Sequence, residues 1–198
     1  MWKGRTVVIL GGGPSLTQEQ VDYVRGKAKV IAINNAYLLA PWADMLYFCD
    51  ARWFKWHKDK SEFQNFKGLR VTLSNETRVP LEKLDIKSVA REGKEGLCIK
   101  PNTVATGANG GYQTINLCYH LAASIVILLG YDMKADGNKT HWHKGHNINS
   151  PTSIYQSNLI PLFKTLAEAL KKIDMSVINC TPGSALHVFP EKKLGDVL

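Results

Sequence analysis

The chain has 198 residues, 44% of them hydrophobic, and a formal charge of +8 at neutral pH. That is enough chain for one well-buried domain and short for two. No eighteen-residue apolar run is present, which excludes a membrane-spanning helix, and the opening MWKGRTVVILGGG lacks the small-residue cleavage site of a secretory signal, so a cytoplasmic protein is expected.

Thr6–Leu10 is a five-residue apolar, β-branched run that reads as a strand covered on both faces. It runs straight into Gly11, Gly12, Gly13, Pro14 and Ser15, with a helix predicted from about Thr17. Glycines let a ligand approach the main chain closely. Free N–H groups and a helix dipole at such a turn suit a phosphate or other anion. The dinucleotide fingerprint needs glycine where Leu16 stands, and no G-x-x-x-x-G-K-[ST] occurs, so neither a standard NAD site nor a P-loop is expected.

Further strands are predicted at Lys29–Asn34, Asp44–Cys49, Arg70–Ser74, Ser124–Leu129 and Ser176–Asn179. Between them lie a short turn at Ala36–Leu39, an aromatic and basic helix at Ala51–Lys60, a helix ending near Ala122, and a long amphipathic helix at Ile154–Lys172. From Asn75 to Asn102 the pattern loosens, and this stretch reads as an insertion with one strand at Leu97–Lys100. Thr181–Ser184 reads as a last strand-to-helix turn. Strands alternating with helices predict a single α/β, doubly wound domain over 1–198 with a mostly parallel, Rossmann-like sheet. Cys49, Cys98, Cys118 and Cys180 form no C-x-x-C pair and are expected to be reduced thiols.

Ligands of open parallel sheets bind beyond the carboxyl ends of the strands. Polar or glycine residues follow almost every predicted strand: Gly11–Ser15, Asn34 and Asn35, Asp50, Ser74 and Asn75, Asp132, and Thr181–Ser184. Asp50 and Asp132 are candidates for ribose hydroxyls or for a magnesium ion bridging phosphates, with helix capping as the plain alternative. Thr106–Gly111 looks like a second phosphate loop in which Asn109 can bond a base or sugar, or else a site of close helix–sheet packing. His141, His143 and His146 form H-x-H-x-x-H, better suited to acid–base work than to zinc because no cysteine lies nearby to close a tetrahedral site. Trp53, Phe54, Trp56 and His57 can stack a ligand ring, although helical spacing favours a core role.

These motifs, in this order, resemble bacterial sialyltransferases of the Campylobacter type. GGGPSL, the strand ending in Asn34, Thr106-Gly107 before a helix, the strand into Gly130-Tyr131-Asp132-Met133, and Thr181-Pro182-Gly183-Ser184 stand in matching places. That family carries a G-N-G-P-S-L loop, an asparagine after the second strand, a T-S-G turn, a G-x-D and a late C-P-N-S turn. It transfers sialic acid from CMP-sialic acid on a Rossmann-like fold, with a histidine as base and no required metal. The run GYDMKADGNKTHWHKG also resembles the motility accessory factors of flagellin glycosylation and the archaeal 6-hydroxymethylpterin diphosphokinases, which share a G-x-D-L…G-x-T-H…G stretch. The pterin enzymes use ATP and magnesium, and small phage-encoded proteins have the same plan.

The resemblance implies a transferase with a nucleotide-activated donor, a CMP- or UDP-sugar or ATP, acting on a hydroxyl, and the +8 charge favours an anionic acceptor such as a glycan or DNA. By position, Gly11, Gly12, Gly13, Pro14, Ser15, Asn34, Thr106 and Gly107 would contact the nucleotide, joined by Asn35 and Ser184 on their strand-end placement and by Asn109 in the second phosphate loop. His146 falls where the sialyltransferases have their base, and His141 matches the T-H of the second group. Asp132 would hold a metal or ribose, with Asp50 as a second magnesium ligand. Two departures bear on the donor: Gly12 replaces the loop asparagine, and the segment from Asp132 to His146 is shorter than the sialyltransferase lid. A diphosphokinase and a non-catalytic nucleotide- or nucleic-acid-binding module are the rival expectations.

Overall fold

In β1 (Thr6–Leu10) every residue after Thr6 is fully buried, as a central parallel strand with helices on both faces demands. The computed structural model describes residues 2–74, 81–135, 141–143 and 152–198. Around β1 the chain lays down β2 (Lys29–Ile33), β3 (Met45–Phe48), β4 (Leu69–Leu73), β5 (Ile86–Arg91), β6 (Thr103–Val104), β7 (Ile125–Leu129) and β8 (Ser176–Asn179). The order across the sheet is β6-β5-β4-β3-β2-β1-β7-β8, and every described pairing is parallel. The order reverses at β1, whose neighbours are β2 and β7. The architecture is therefore α/β, doubly wound and Rossmann-like, with its switch point at the end of β1.

The pleat sends alternate residues of β1 into two cores. Val7 and Ile9 pack with Ile115 and Cys118 of α4 (Gly110–His120) and with Phe163 and Leu166 of α6 (Ile160–Leu170). Val8 and Leu10 pack on the other face with Val21 and Val24 of α1 (Gln18–Val24), Trp53 and Phe54 of α2 (Ala51–His57), and Phe63 of α3 (Ser61–Gln64). Burying such a side chain contributes about 1.5–3 kcal/mol, so the apolar runs dominate the stability of the sheet. Tyr37 sits among Trp53, His57, Phe63 and Phe66 with ring centroids 5.6–6.5 Å away. The Trp53–Phe54–His57 stripe is thus core, while Trp56 stays 45% exposed.

Three expectations differ from the structure. The strand expected at Leu97–Lys100 is absent there, and β5 lies earlier, at Ile86–Arg91. β5 buries only Ile86 and Val89, and its exposed Lys87, Ser88 and Arg91 hide the strand pattern near the sheet edge. The turn at Thr181–Ser184 leads to no helix; Ser184 Oγ instead donates to the Tyr131 carbonyl at 2.6 Å and accepts from Leu186 N–H at 3.0 Å. The long helix predicted from Ile154 is broken. α5 (Thr152–Ile154) gives way to a π-turn at Tyr155–Leu159, closed by Ile160 N–H donating to the Tyr155 carbonyl, before α6 begins. Pro161 brings no N–H to the Ser157 carbonyl, and widening the turn by one residue accommodates that. Among the described residues no helix is long and apolar enough to cross a membrane, and no disulfide joins the four cysteines.

Candidate functional site

The carboxyl ends of β1, β2 and β7 open into a cleft of about 390 Å³ at the switch point. Its floor is the glycine loop, its sides are the residues after β2 and the start of α4, and the π-turn and the His141–His143 segment flank it.

The glycine loop is held mostly by its own side of the sheet. Gly11 N–H donates to the Leu129 carbonyl, Gly13 N–H to the Gly130 carbonyl, Ser15 N–H to Asp132 Oδ1, and Leu16 N–H to the Gly13 carbonyl. Pro14 has no N–H. Among the described residues, Gly12 alone in this loop keeps an amide without a partner. The expected phosphate nest at α1 is also closed, because Thr17 and Gln20 form a capping box across the start of that helix.

The open amides lie across the cleft instead. Asn109 caps α4, its Oδ1 accepting from Tyr112 N–H at 2.9 Å. Gly110 and Gly111, in the first turn of this eleven-residue helix, line the cleft, and their N–H groups have no partner among the described residues. A helix start with open amides favours negative charge.

Asn34 supplies a second unmet group. Its φ of 49° is left-handed, and its Oδ1 is buried without a hydrogen-bond partner. Ala108 and Met133, also lining the cleft, have positive φ as well. Each such residue costs on the order of 1–3 kcal/mol, strain that collects at binding sites. A ligand N–H or O–H would satisfy Asn34.

Asp132 is 5% exposed and accepts twice from Ser15, at 3.1 Å from the backbone N–H and 2.9 Å from the hydroxyl. Burial pushes its carboxyl above the usual range, against the pull of those bonds and of Lys134. Tyr155 of the π-turn feels this charge: burial first, and Asp132 second, push its phenol up.

His141 and His143 both line the cleft, with ring centres 5.5 Å apart. Trp142 N–H donates to the Gly12 carbonyl at 3.2 Å, which ties this segment to the glycine loop. A side chain at position 12 would meet the His141 ring at 3.3 Å, so Gly12 is where the histidine comes close.

Of the residues predicted from sequence, Gly11, Gly12, Gly13, Asn34, Asn35, Asn109, Asp132 and His141 come together here. Pro14, Ser15, Thr106, Gly107 and Ser184 do not line the cleft. Ser15 anchors the loop, and Gly107 makes room for the Tyr112 ring. His146 lies outside the described residues. Asp50 is used elsewhere: it caps α2 through Arg52 N–H at 2.7 Å and pairs with the Arg52 guanidinium at 3.1 Å. Among the described residues no second carboxylate joins Asp132 at the cleft, and each Asp132 oxygen accepts one bond from Ser15. Sequence reasoning missed Lys134, Tyr155 and Asn158, and left His143 unassigned. The signal for Tyr155 and Asn158 was Pro161, which interrupts the helix next to them.

No protein-family model matches the chain, and comparison with curated proteins likewise gives no match. Among solved structures, the chain is similar to the sialyltransferase CstII from Campylobacter jejuni, in complex with a substrate analogue, cytidine-5'-monophosphate. The TM-score is 0.56 at 16% identity, over 96% of this chain and 85% of that one. At that identity the likeness shows a shared Rossmann-like fold over nearly the whole chain.

Proposed function

We propose that the protein is a transferase that takes a glycosyl group from a nucleotide sugar and delivers it to a hydroxyl of an anionic acceptor. The observation that carries this reading is the cleft itself. An anion-favouring helix start, an unmet asparagine acceptor and a histidine pair face one space at the switch point of the sheet. The likeness to a sialyltransferase solved with cytidine monophosphate supports the same reading.

The nucleotide phosphate would sit on the Gly12, Gly110 and Gly111 amides, with Asn34 Oδ1 accepting from a ribose or base donor. In the transfer, the bond from the sugar to the phosphate oxygen breaks and its electron pair leaves with the nucleotide. The acceptor oxygen bonds to the sugar carbon, and its proton passes to a histidine of the 141–146 run. His141 is the base within the described residues. A histidine suits this step because it exchanges a proton near neutral pH. The +8 charge favours an anionic acceptor.

The test is a thermal-shift screen with CMP, UDP, GDP, ADP, ATP and matching nucleotide sugars, with and without magnesium. A ligand at about a hundred times its Kd adds about 2.7 kcal/mol to stability. A shift with a pyrimidine nucleotide and its sugar, unchanged by magnesium, is expected. A shift confined to ATP with magnesium would replace this reading with a diphosphokinase. A shift with short DNA alone would replace it with a binding module.

A further inference from the structure

Asn35 stands between two rings, and its amide can face only one way. The Trp53 indole N–H donates and never accepts, so the Asn35 atom 2.6 Å from Nε1 is the oxygen. The amide nitrogen is then the atom 3.3 Å from His143 Nδ1. An amide nitrogen donates and does not accept, so Nδ1 accepts and carries no proton. The proton of neutral His143 is therefore on Nε2.

Trp53 is itself immobilised. Its ring stacks on His57 with centroids 4.2 Å apart and planes 10° off parallel, and lies 5.0 Å from Phe48. His57 is 3% exposed, and its Nδ1 lies 2.9 Å from the buried Tyr37 hydroxyl. A chain of contacts thus runs from the core through Tyr37, His57, Trp53 and Asn35 to the wall of the cleft.

We propose that Asn35, clamped by Trp53, is a positioning residue that holds His143 in the Nε2–H form, so that His143 serves the cleft as a neutral donor to a phosphate oxygen and leaves the base role to another histidine. Among the described residues, the other titratable groups facing this part of the cleft are His141, Asp132, Lys134 and Tyr155, with His57 behind Trp53. The tautomer belongs to the unliganded protein, whereas the phosphate role rests on the proposed function.

The experiment is a ¹⁵N–¹H correlation of the histidine ring nitrogens in the unliganded protein across pH, with His143 assigned by His143→Gln. A proton on Nε2 and none on Nδ1 are expected while the ring is neutral. In Asn35→Asp a carboxylate replaces the donor, so the proton should move to Nδ1. Trp53→Phe should release Asn35 and give a mixture of the two forms. A wild-type proton on Nδ1, or an Asn35→Asp spectrum like wild type in a folded protein, overturns the proposal. For the phosphate role, His143→Gln, which keeps an N–H, should bind the nucleotide found in the screen better than His143→Ala by roughly tenfold. Equal binding by the two overturns the donor role and leaves the tautomer standing. Failure of every nucleotide to bind the wild type would instead overturn the proposed function.

Discussion

Asp132 grips Ser15 through both carboxylate oxygens: Oδ1 accepts from the Ser15 backbone N–H at 3.1 Å, and Oδ2 accepts from its hydroxyl at 2.9 Å. The pair joins the end of β7 to the loop after β1, 117 residues apart in the chain. Its charge is buried, so ionisation opposes folding while the two bonds offset that cost. Asp132→Asn keeps the shape, removes the charge and loses one acceptor. It should cost only about 1 kcal/mol in urea unfolding. Asp132→Ala strands both Ser15 donors and should cost about 1–3 kcal/mol. Equal costs for the two would mean that the carboxylate does not hold the loop.

Gly12 and Gly13 are adjacent yet answer to different neighbours. A Cβ at Gly13 would overlap the Asp132 carboxylate and crowd the Gly130 carbonyl, both fixed parts of the fold. Among the described residues, a Cβ at Gly12 would meet only the His141 ring, at 3.3 Å. Gly13→Ala should therefore destabilise the protein by about 3 kcal/mol or more, in the range of severe packing defects. Gly12→Ala should unfold within about 1 kcal/mol of wild type while weakening the ligand responses that depend on His141. Parallel urea melts and nucleotide thermal shifts separate the two effects.

The strand-to-glycine transition after β1 was legible because buried parallel strands are written as uninterrupted apolar runs. β2, β3, β7 and β8 were found on the same principle, and the ends of β1, β2 and β7 located the cleft. β5 was not, because a strand near the edge buries only Ile86 and Val89 and keeps lysine and arginine on its surface. Within the cleft, residue type identified Asn34, Asn109 and His141. It could not tell which amides the fold consumes: Ser15 N–H is taken by a residue from the far half of the chain, while Gly110 N–H is left open. Nor could it tell a strand-end carboxylate that faces the cleft, Asp132, from one that caps a helix, Asp50. That choice depends on where the following helix begins.

Asp50 gives a direct check on the metal question. The Arg52 bonds hold its carboxyl below the usual range despite the opposing effect of partial burial, and it caps α2. Asp50→Ala should lower stability by about 1 kcal/mol, as losses of N-caps do. It should leave every nucleotide shift in the screen unchanged, with or without magnesium. Loss of a magnesium-dependent shift in this variant would restore Asp50 to the site.

His57 should make the protein acid-sensitive well above the carboxylate range. Burial is the main cause that pushes its imidazole down to about 4, with the charges of Lys60 and His143 adding to it. The unfolded chain protonates His57 near pH 6.5, whereas the folded protein resists until about pH 4. Between those values the unfolded state binds more protons, so stability falls as pH falls. With His57 only 3% exposed, solvent screening is slight. A loss of about 2 kcal/mol between about pH 7 and about pH 4.5 is expected from this residue. His57→Gln removes the titrating group, so its stability should be flatter across the same interval whatever its starting value. Urea unfolding at a series of pH values reads both slopes. Parallel slopes for wild type and variant would show that His57 titrates alike in the folded and unfolded chain, and that the Tyr37–His57–Trp53 stack is open to water.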